Sequence, residues 1–252
     1  MARKEIKIDL LIHDLKNPLA VIQAGLSGLL SRREQYGPLT PRQERVLTRL
    51  LRNTRAAQML THDALELARS GEGIIVRTET PLKTMIREML TEFFDLIDSG
   101  ISEPMKSADS FADMDRIASP AGLVLAVEPS LLERSFLLDA DKTRQILRNL
   151  LSNAFKYRKR QVDFAVRQDG GNLVFSVKDD GDGIPCEYHR KIFEAYFQLS
   201  AAGSDPVRGH GVGLAGALAL ARDLGGDLSL VSGAGCGAAF IVRLPAGCKD
   251  PA

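Results

Sequence analysis

His13 has Asp14 beside it and Asn17 one helical turn further on, within His13-Asp14-Leu15-Lys16-Asn17-Pro18-Leu19. An imidazole next to a carboxylate can act as a nucleophile, because the carboxylate orients the ring and stabilises the positive charge it develops. Three segments in the second half complement it. In the first, Asn149, Asn153 and Lys156 recur at steps of four and three, on one face of a helix whose other face carries Ile146, Leu147, Leu150, Leu151 and Ala154. Amide oxygens can coordinate Mg²⁺ and an ammonium neutralises phosphate oxygens; an ordinary solvated face is the equally available reading. In the second, Asp179-Asp180-Gly181-Asp182-Gly183-Ile184 follows an apolar run. A carboxylate there can accept from an exocyclic amine such as that of adenine, and glycines allow close ligand approach; Asp and Gly also make ordinary turns. In the third, Gly209-His210-Gly211-Val212-Gly213-Leu214 opens a helix, where free backbone N–H groups favour anions. It is neither a dinucleotide fingerprint, since a polar loop precedes it, nor a Walker loop, since no Gly-Lys-Ser/Thr follows.

The elements that must hold these residues are legible in part. Ile8, Ile12, Leu15, Leu19, Ile22, Leu26 and Leu29 alternate spacings of four and three, a heptad seam predicting a helix over residues 4–34 with His13 just off the seam. Pro18 cannot donate to the carbonyl of Asp14, so a bend is expected near His13. Gly37-Pro38 breaks this helix and Thr40-Pro41 starts another, with Thr40 as cap and Glu44 completing a capping arrangement. Val46, Leu50, Ala57, Leu60, Ala64 and Leu67 then form a stripe that ends near Ser70-Gly71. One helical hairpin cannot cover two apolar stripes, so two copies forming a four-helix bundle, a homodimer, are expected. Beyond it, Ile74-Ile75-Val76 reads as a strand, residues 82–96 as an amphipathic helix, 122–127 and 135–138 as strands, and 141–156 as a helix. Residues 162–166 and 173–177 read as a hairpin, 212–224 as a helix, and 228–231 and 239–244 as strands, while the polar stretch 98–120 has no readable element and looks like an insertion. This mixture predicts a sheet with helices on one face.

Bulk composition narrows the function. A net charge of +1 from 33 basic and 32 acidic residues gives no reason to expect nucleic acid or an anionic membrane as a bulk partner. Cys186, Cys236 and Cys248 are odd in number and lack metal-ligand spacing, which reads as reduced thiols in a cytoplasmic protein. No run of 18 apolar residues marks a membrane span, and the charged start lacks a signal core.

Taken in order, these segments resemble the sensor histidine kinases of two-component signalling. Residues 13–19 look like the H box, 141–157 like the N box, 179–184 like the G1 box of form Asp-x-Gly-x-Gly-Ile, 192–197 like the F box and 209–214 like the G2 box, with 233–240 as a final glycine segment. The resemblance implies an α+β chain: residues 1–71 a helical hairpin forming a dimeric four-helix bundle for dimerisation and phosphoacceptance, and residues 72–252 an α/β sandwich ATP-binding domain of Bergerat type. It implies that His13 accepts phosphate with Asp14 activating it, and that Asn17 serves a phosphatase reaction on the partner. Asn149 and Asn153 would serve Mg²⁺ and phosphate, Lys156 phosphate, Tyr157 the adenine face, and Asp179 the adenine amine. Gly181, Gly183, Gly209, Gly211 and Gly213, with Leu214, would shape the pocket. Residues 197–210 would be the ATP lid, with Arg208 at the γ-phosphate. ATP and Mg²⁺ are the implied cofactors. The implied partners are a second copy, the receiver domain of a response regulator, and a sensor on another polypeptide unless the chain is an excised core.

The departures are small: Arg158 stands where a small hydroxyl residue is frequent, Gln198 where a basic residue is frequent, and His210 and Val212 replace commoner choices. A different class shares the same nucleotide motifs, the ATP-driven conformational proteins related to gyrase B, Hsp90 and MutL. Those carry a water-activating glutamate at the first N-box position, where this chain has Asn149.

Overall fold

The structure is a computed structural model that describes residues 8–69, 75–195, 197, 211 and 213–249. The chain divides into two compact units, Met1–Arg69 and Ser70–Ala252.

The first unit is a helical hairpin of α1 (Ile8–Ser31), a single turn α2 (Arg33–Tyr36) and α3 (Pro41–Arg69). Helix α1 runs through Pro18 and ends earlier than the heptad pattern suggests. Gly37 takes φ +84°, which makes the turn. Pro41 is the first helical residue, so the third is Gln43. Gln43, rather than Glu44, therefore completes the box: its N–H donates to Thr40 Oγ1 (3.3 Å), and the Thr40 N–H donates to Gln43 Oε1 (2.9 Å). Of the stripe expected on α3, Val46 and Leu50 are 50% and 46% exposed in the single chain; among the described side chains of the helix, Leu51 and Thr54 are the buried ones. On α1, the seam residues Leu15 and Ile22 are 45% and 49% exposed, while Leu19, Leu26 and Leu29 are half-buried.

Of the expected strand at 74–76, residue 74 lies outside the described residues and 75–77 are irregular; the first described strand of the second unit is β1 (Thr78–Pro81). Helix α4 (Leu82–Ile97) follows its sequence pattern closely and buries Leu82, Met85, Ile86, Met89, Leu90, Phe93 and Phe94. Residues 98–120 are folded, as α5 (Ser99–Lys106), α6 (Phe111–Ala118) and a final 3-10 turn. The side chains of Asp98 and Ser110 cap the two helices, accepting from Gly100 N (2.9 Å) and Asp113 N (3.1 Å). Met105, Ala108, Met114 and Ala118 belong to the core, so the segment is not a polar excursion.

Next come β2 (Leu123–Val127), β3 (Ser135–Leu138), α7 (Ala140–Tyr157), β4 (Val162–Asp169), β5 (Asn172–Asp179), α8 (Gly213–Asp223), β6 (Asp227–Ser232), β7 (Ala238–Pro245) and β8 (Gly247–Lys249). Among the described residues the strands form a five-stranded sheet in the order β2-β4-β5-β7-β6, parallel only at β2–β4, and a small antiparallel sheet in the order β1-β3-β8. Burial alternates along β4 and β7, where Val162, Phe164, Val166, Phe240, Val242 and Leu244 face inwards. Helices α4, α7 and α8 supply the other half of that core. The chain is thus an α+β protein, a helical N-terminal unit followed by an α/β sandwich. No helix among the described residues is long and apolar enough to cross a membrane.

Asp139 fixes the start of α7. One carboxylate oxygen accepts from Lys142 N (3.1 Å) as the helix cap and the other from Val76 N (3.1 Å), while its carbonyl accepts from the Thr143 hydroxyl (2.7 Å). Next to Val76, the Arg77 guanidinium donates to the carbonyl of Leu224 (3.1 Å), just past the end of α8. The incoming chain is therefore tied to two helices at once. Asp139→Ala is expected to destabilise the second unit by about 1–2 kcal/mol through loss of the cap and of the Val76 acceptor. Asp139→Asn, which keeps an acceptor oxygen, should cost less. Chemical denaturation of the two variants measures the difference.

Candidate active site

Helix α7 presents two faces. Ile146, Leu147, Leu150, Leu151 and Ala154 are fully buried in the core. The other face carries Asn149, which is buried, and Asn153 and Lys156, which are half-buried. Asn149 Nδ2 donates to the carbonyl of Gly213 (3.2 Å), the first residue of α8. That contact fixes the amide orientation and leaves Oδ1 as the side chain's free oxygen. Lys156 and Tyr157 meet each other: Nζ donates to the phenol oxygen (2.8 Å) and lies 4.5 Å from the ring centroid. Tyr157 remains 48% exposed at the end of α7.

Asp179 ends β5 with 3% exposure. Its Oδ1 accepts from Gly181 N (2.9 Å) and Ala238 N (3.3 Å). Burial pushes this carboxyl above the usual carboxylate range, and the two N–H donors only partly oppose that. Asp180, its neighbour, goes the other way. Its carboxylate accepts from Arg160 N (3.0 Å) and Lys159 N (2.8 Å), and these backbone donors hold it below the ordinary value. Packing around Asp179 requires glycine. A Cβ on Gly181 would strike the carbonyl of Tyr157, and one on Gly237, at φ +71°, the carbonyl of Asp179. Ser232 closes the loop by accepting from Ile184 N (2.8 Å) while donating to Gly237 O (2.6 Å). Asp180 and Gly237 stand inside segments the sequence marks without giving them a role of their own, and Ser232 lies outside those segments. The doubled aspartate was the visible signal for Asp180, and the glycine spacing after Gly233 for Gly237.

Gly183 takes φ +76° and Gly211 φ +70°. Leu214 is half-buried on α8 and packs against the core. Arg208 and Gly209, with most of residues 197–210, lie outside the described residues. Phe193 packs on Phe240 at a centroid distance of 6.4 Å, and Phe197 on Tyr188 at 5.9 Å. Arg158 lies 3.6 Å from the ring centroid of Phe155, and its burial lowers the guanidinium pKa. His13, Asp14 and Asn17 all belong to α1 in the first unit. Asn17 is exposed, and the side chains of His13 and Asp14 lie outside the described part. Among the described residues the structure therefore joins Asn149 to Gly213, Lys156 to Tyr157, and Asp179 to Gly181.

Known proteins carry the same two units. The His Kinase A (phospho-acceptor) domain model matches residues 10–73, and the Histidine kinase-, DNA gyrase B-, and HSP90-like ATPase model matches residues 138–247. The chain belongs to the two-component histidine kinases. The aerobic respiration control sensor protein ArcB of Escherichia coli K12 is 37% identical over 153 residues, covering 58% of this chain and 20% of that protein. The sensor histidine kinase GlrK of the same strain is 30% identical over 237 residues, 93% of this chain and 45% of that protein. The chain thus spans half or less of these relatives. Full-length ShkA, solved in complex with AMPPNP, superposes with a TM-score of 0.65 at 27% identity, covering 97% of this chain and 46% of that one. The Acinetobacter baumannii histidine kinase AdeS shares the fold, with a TM-score of 0.56 at 17% identity over 92% of this chain and 97% of that one.

Asp179 offers a test of the buried carboxylate without any ligand. Its pKa in the folded protein is above the unfolded value of about 3.9. Ionisation therefore costs stability at pH above the folded pKa, and the cost vanishes below the unfolded one. Asp179→Asn removes it. The stability of the variant relative to wild type should rise as pH climbs from about 4 through the folded pKa, then level off. Denaturation midpoints across that range measure it, and a flat difference would contradict a raised pKa.

Proposed function

We propose that this chain is the kinase core of a two-component system: it binds ATP, transfers the γ-phosphoryl group to His13, and passes it to an aspartate on a response regulator receiver domain. The observation that carries this reading is the tie between Asn149 on α7 and Gly213 at the start of α8, together with the buried Asp179 at the end of β5, in a chain whose other unit matches a phosphoacceptor domain. Residues 1–71 would serve dimerisation and phosphoacceptance, and residues 72–252 ATP binding.

In this reading Asp179 accepts the adenine amine, and Gly181 and Gly183 let the base approach the backbone. Tyr157 would cover the nucleobase end, and Lys156 would turn from the Tyr157 hydroxyl to phosphate. Gly209, Gly211 and Gly213 would offer N–H groups to phosphates at the N-terminus of α8, with Leu214 behind them and Arg208 at the γ-phosphate. The donor set suits Mg²⁺. Among the described residues there is no cluster of three or more acidic, cysteine or histidine side chains, and the free oxygens of Asn149 and Asn153 are hard donors that suit an ion keeping phosphate and water ligands. When bound, Mg²⁺ supplies charge neutralisation of the phosphates.

Asp14 would orient the His13 imidazole and take its proton. The ring nitrogen then forms a bond to the γ-phosphorus as the bond to the bridging oxygen breaks and ADP leaves. Asn149 cannot act as a base, which disfavours competing hydrolysis. Asn17, exposed one turn beyond His13, would serve dephosphorylation of the partner. The exposed Leu15, Ile22, Val46 and Leu50 support a homodimer, since a second hairpin would cover them. Input would come from a sensor on this or another polypeptide. A core that draws on ATP and a receiver domain would work in the cytoplasm.

His13→Ala is expected to abolish acid-labile, base-stable protein label from γ-labelled ATP while nucleotide affinity stays at the wild-type level. Label at wild-type rates in that variant would sink the assignment. Asp179→Asn should weaken ATP binding by about tenfold and relax discrimination against GTP. Calorimetric titration of both nucleotides reads this directly.

A further inference from the structure

Gln145 lies on α7 one turn before Asn149 and on the same face as Asn149 and Asn153. It is 6% exposed, and its Nε2 is buried without a hydrogen-bond partner among the described residues. An orphaned buried donor is costly, and such groups mark places where a ligand or ordered water is missing from the account. Its polar neighbours on the helix are engaged: Thr143 with the Asp139 carbonyl, Arg144 with Glu88, and Arg148 with Glu92.

The direction of the site along α7 gives this donor a meaning. At the C-terminal end, the carbonyl of Tyr157 abuts Gly181, beside Asp179. Further back, Asn149 meets Gly213 at the N-terminus of α8, where phosphates are favoured. On the ATP reading the site would run from base to phosphates as α7 is followed backwards, with the long Lys156 side chain reaching towards the phosphates from the base end. Four residues at 1.5 Å each carry Gln145 about 6 Å past Asn149, beyond the metal-phosphate amide. We propose that Gln145 is a further nucleotide-binding residue that recognises the terminal phosphoryl group of a nucleoside triphosphate, donating from Nε2 to a phosphoryl oxygen directly or through one ordered water. This rests on the reading of the site as an ATP site.

The test compares Gln145→Met and Gln145→Glu with wild type in the full chain, titrating a non-hydrolysable ATP analogue and ADP, each with Mg²⁺. Methionine keeps the volume without the donor, and glutamate keeps the shape but replaces the donor with an acceptor that repels phosphate. Gln145→Met should weaken the triphosphate analogue about five- to tenfold while ADP changes less than about twofold; Gln145→Glu should weaken the analogue more. A structural role would shift both nucleotides by one factor, and that result, or no shift in either, overturns the proposal. Should the methionine variant lose its cooperative unfolding transition, the near-isosteric glutamate variant carries the same comparison. Failure of the wild-type chain to bind either nucleotide would instead overturn the ATP reading itself.

Discussion

The packing of α7 on the inner face of the five-stranded sheet is the constraint from which the rest of the second unit follows. Ile146, Leu147, Leu150, Leu151 and Ala154 are fully buried, so the helix cannot rotate without exposing all of them. Burying five such side chains is worth several kcal/mol in total, at roughly 0.8 kcal/mol per methylene. The same rotation setting places Asn149, Asn153 and Lys156 together. Polar residues that would cost stability elsewhere are thus held by an apolar face that pays for their position. Asp139 then fixes the helix along its own axis by capping it and holding Val76. At the far end Arg158 lies over Phe155, which itself packs edge-on against Phe93 at 4.8 Å.

Asp179 and Asp180 show how adjacent, chemically identical residues acquire opposite properties. Strand alternation sends successive side chains to opposite faces. Asp179 points to the packed side and loses water, which raises its carboxyl pKa. Asp180 turns to the loop after α7, where it stitches the N–H groups of Lys159 and Arg160 to the end of β5, and these lower it. One carboxylate is buried beside Gly181 and Gly237, where its charge is costly, and the other ties the loop after α7 to the end of β5. A hydrogen-bond donor brought to Asp179 would relieve that cost, which is why the proposed reading gives it an amine.

What could be read from the sequence follows a physical line. Long periodic segments were legible: α4, α7 and the β4–β5 hairpin at Gly170-Gly171 stand where their patterns put them. Elements defined by partners were not. Strand β1 is mostly exposed and takes its register from β3, and β8 is three residues, Gly-Cys-Lys, with no pattern to recognise. Helices α5 and α6 are eight residues each, too short for a period to emerge, and their signal is in the caps Asp98 and Ser110. In the site, residue types were legible but pairings were not. The sequence contains Asn149 and Gly213, yet only the fold brings a side chain and a carbonyl 64 positions apart into one hydrogen bond.

That hydrogen bond also decides what Asn149 can do. A carboxamide is neutral, so its Nδ2–H can donate to the Gly213 carbonyl while Oδ1 stays available. A carboxylate in the same place would have no donor for that carbonyl, and two acceptors would face each other at the start of α8. Asparagine therefore suits the junction of α7 and α8 as structure as well as chemistry. The hydrogen bond ties α7 to the first residue of α8, and on the proposed reading the same amide would withhold from water the base that a carboxylate would supply there.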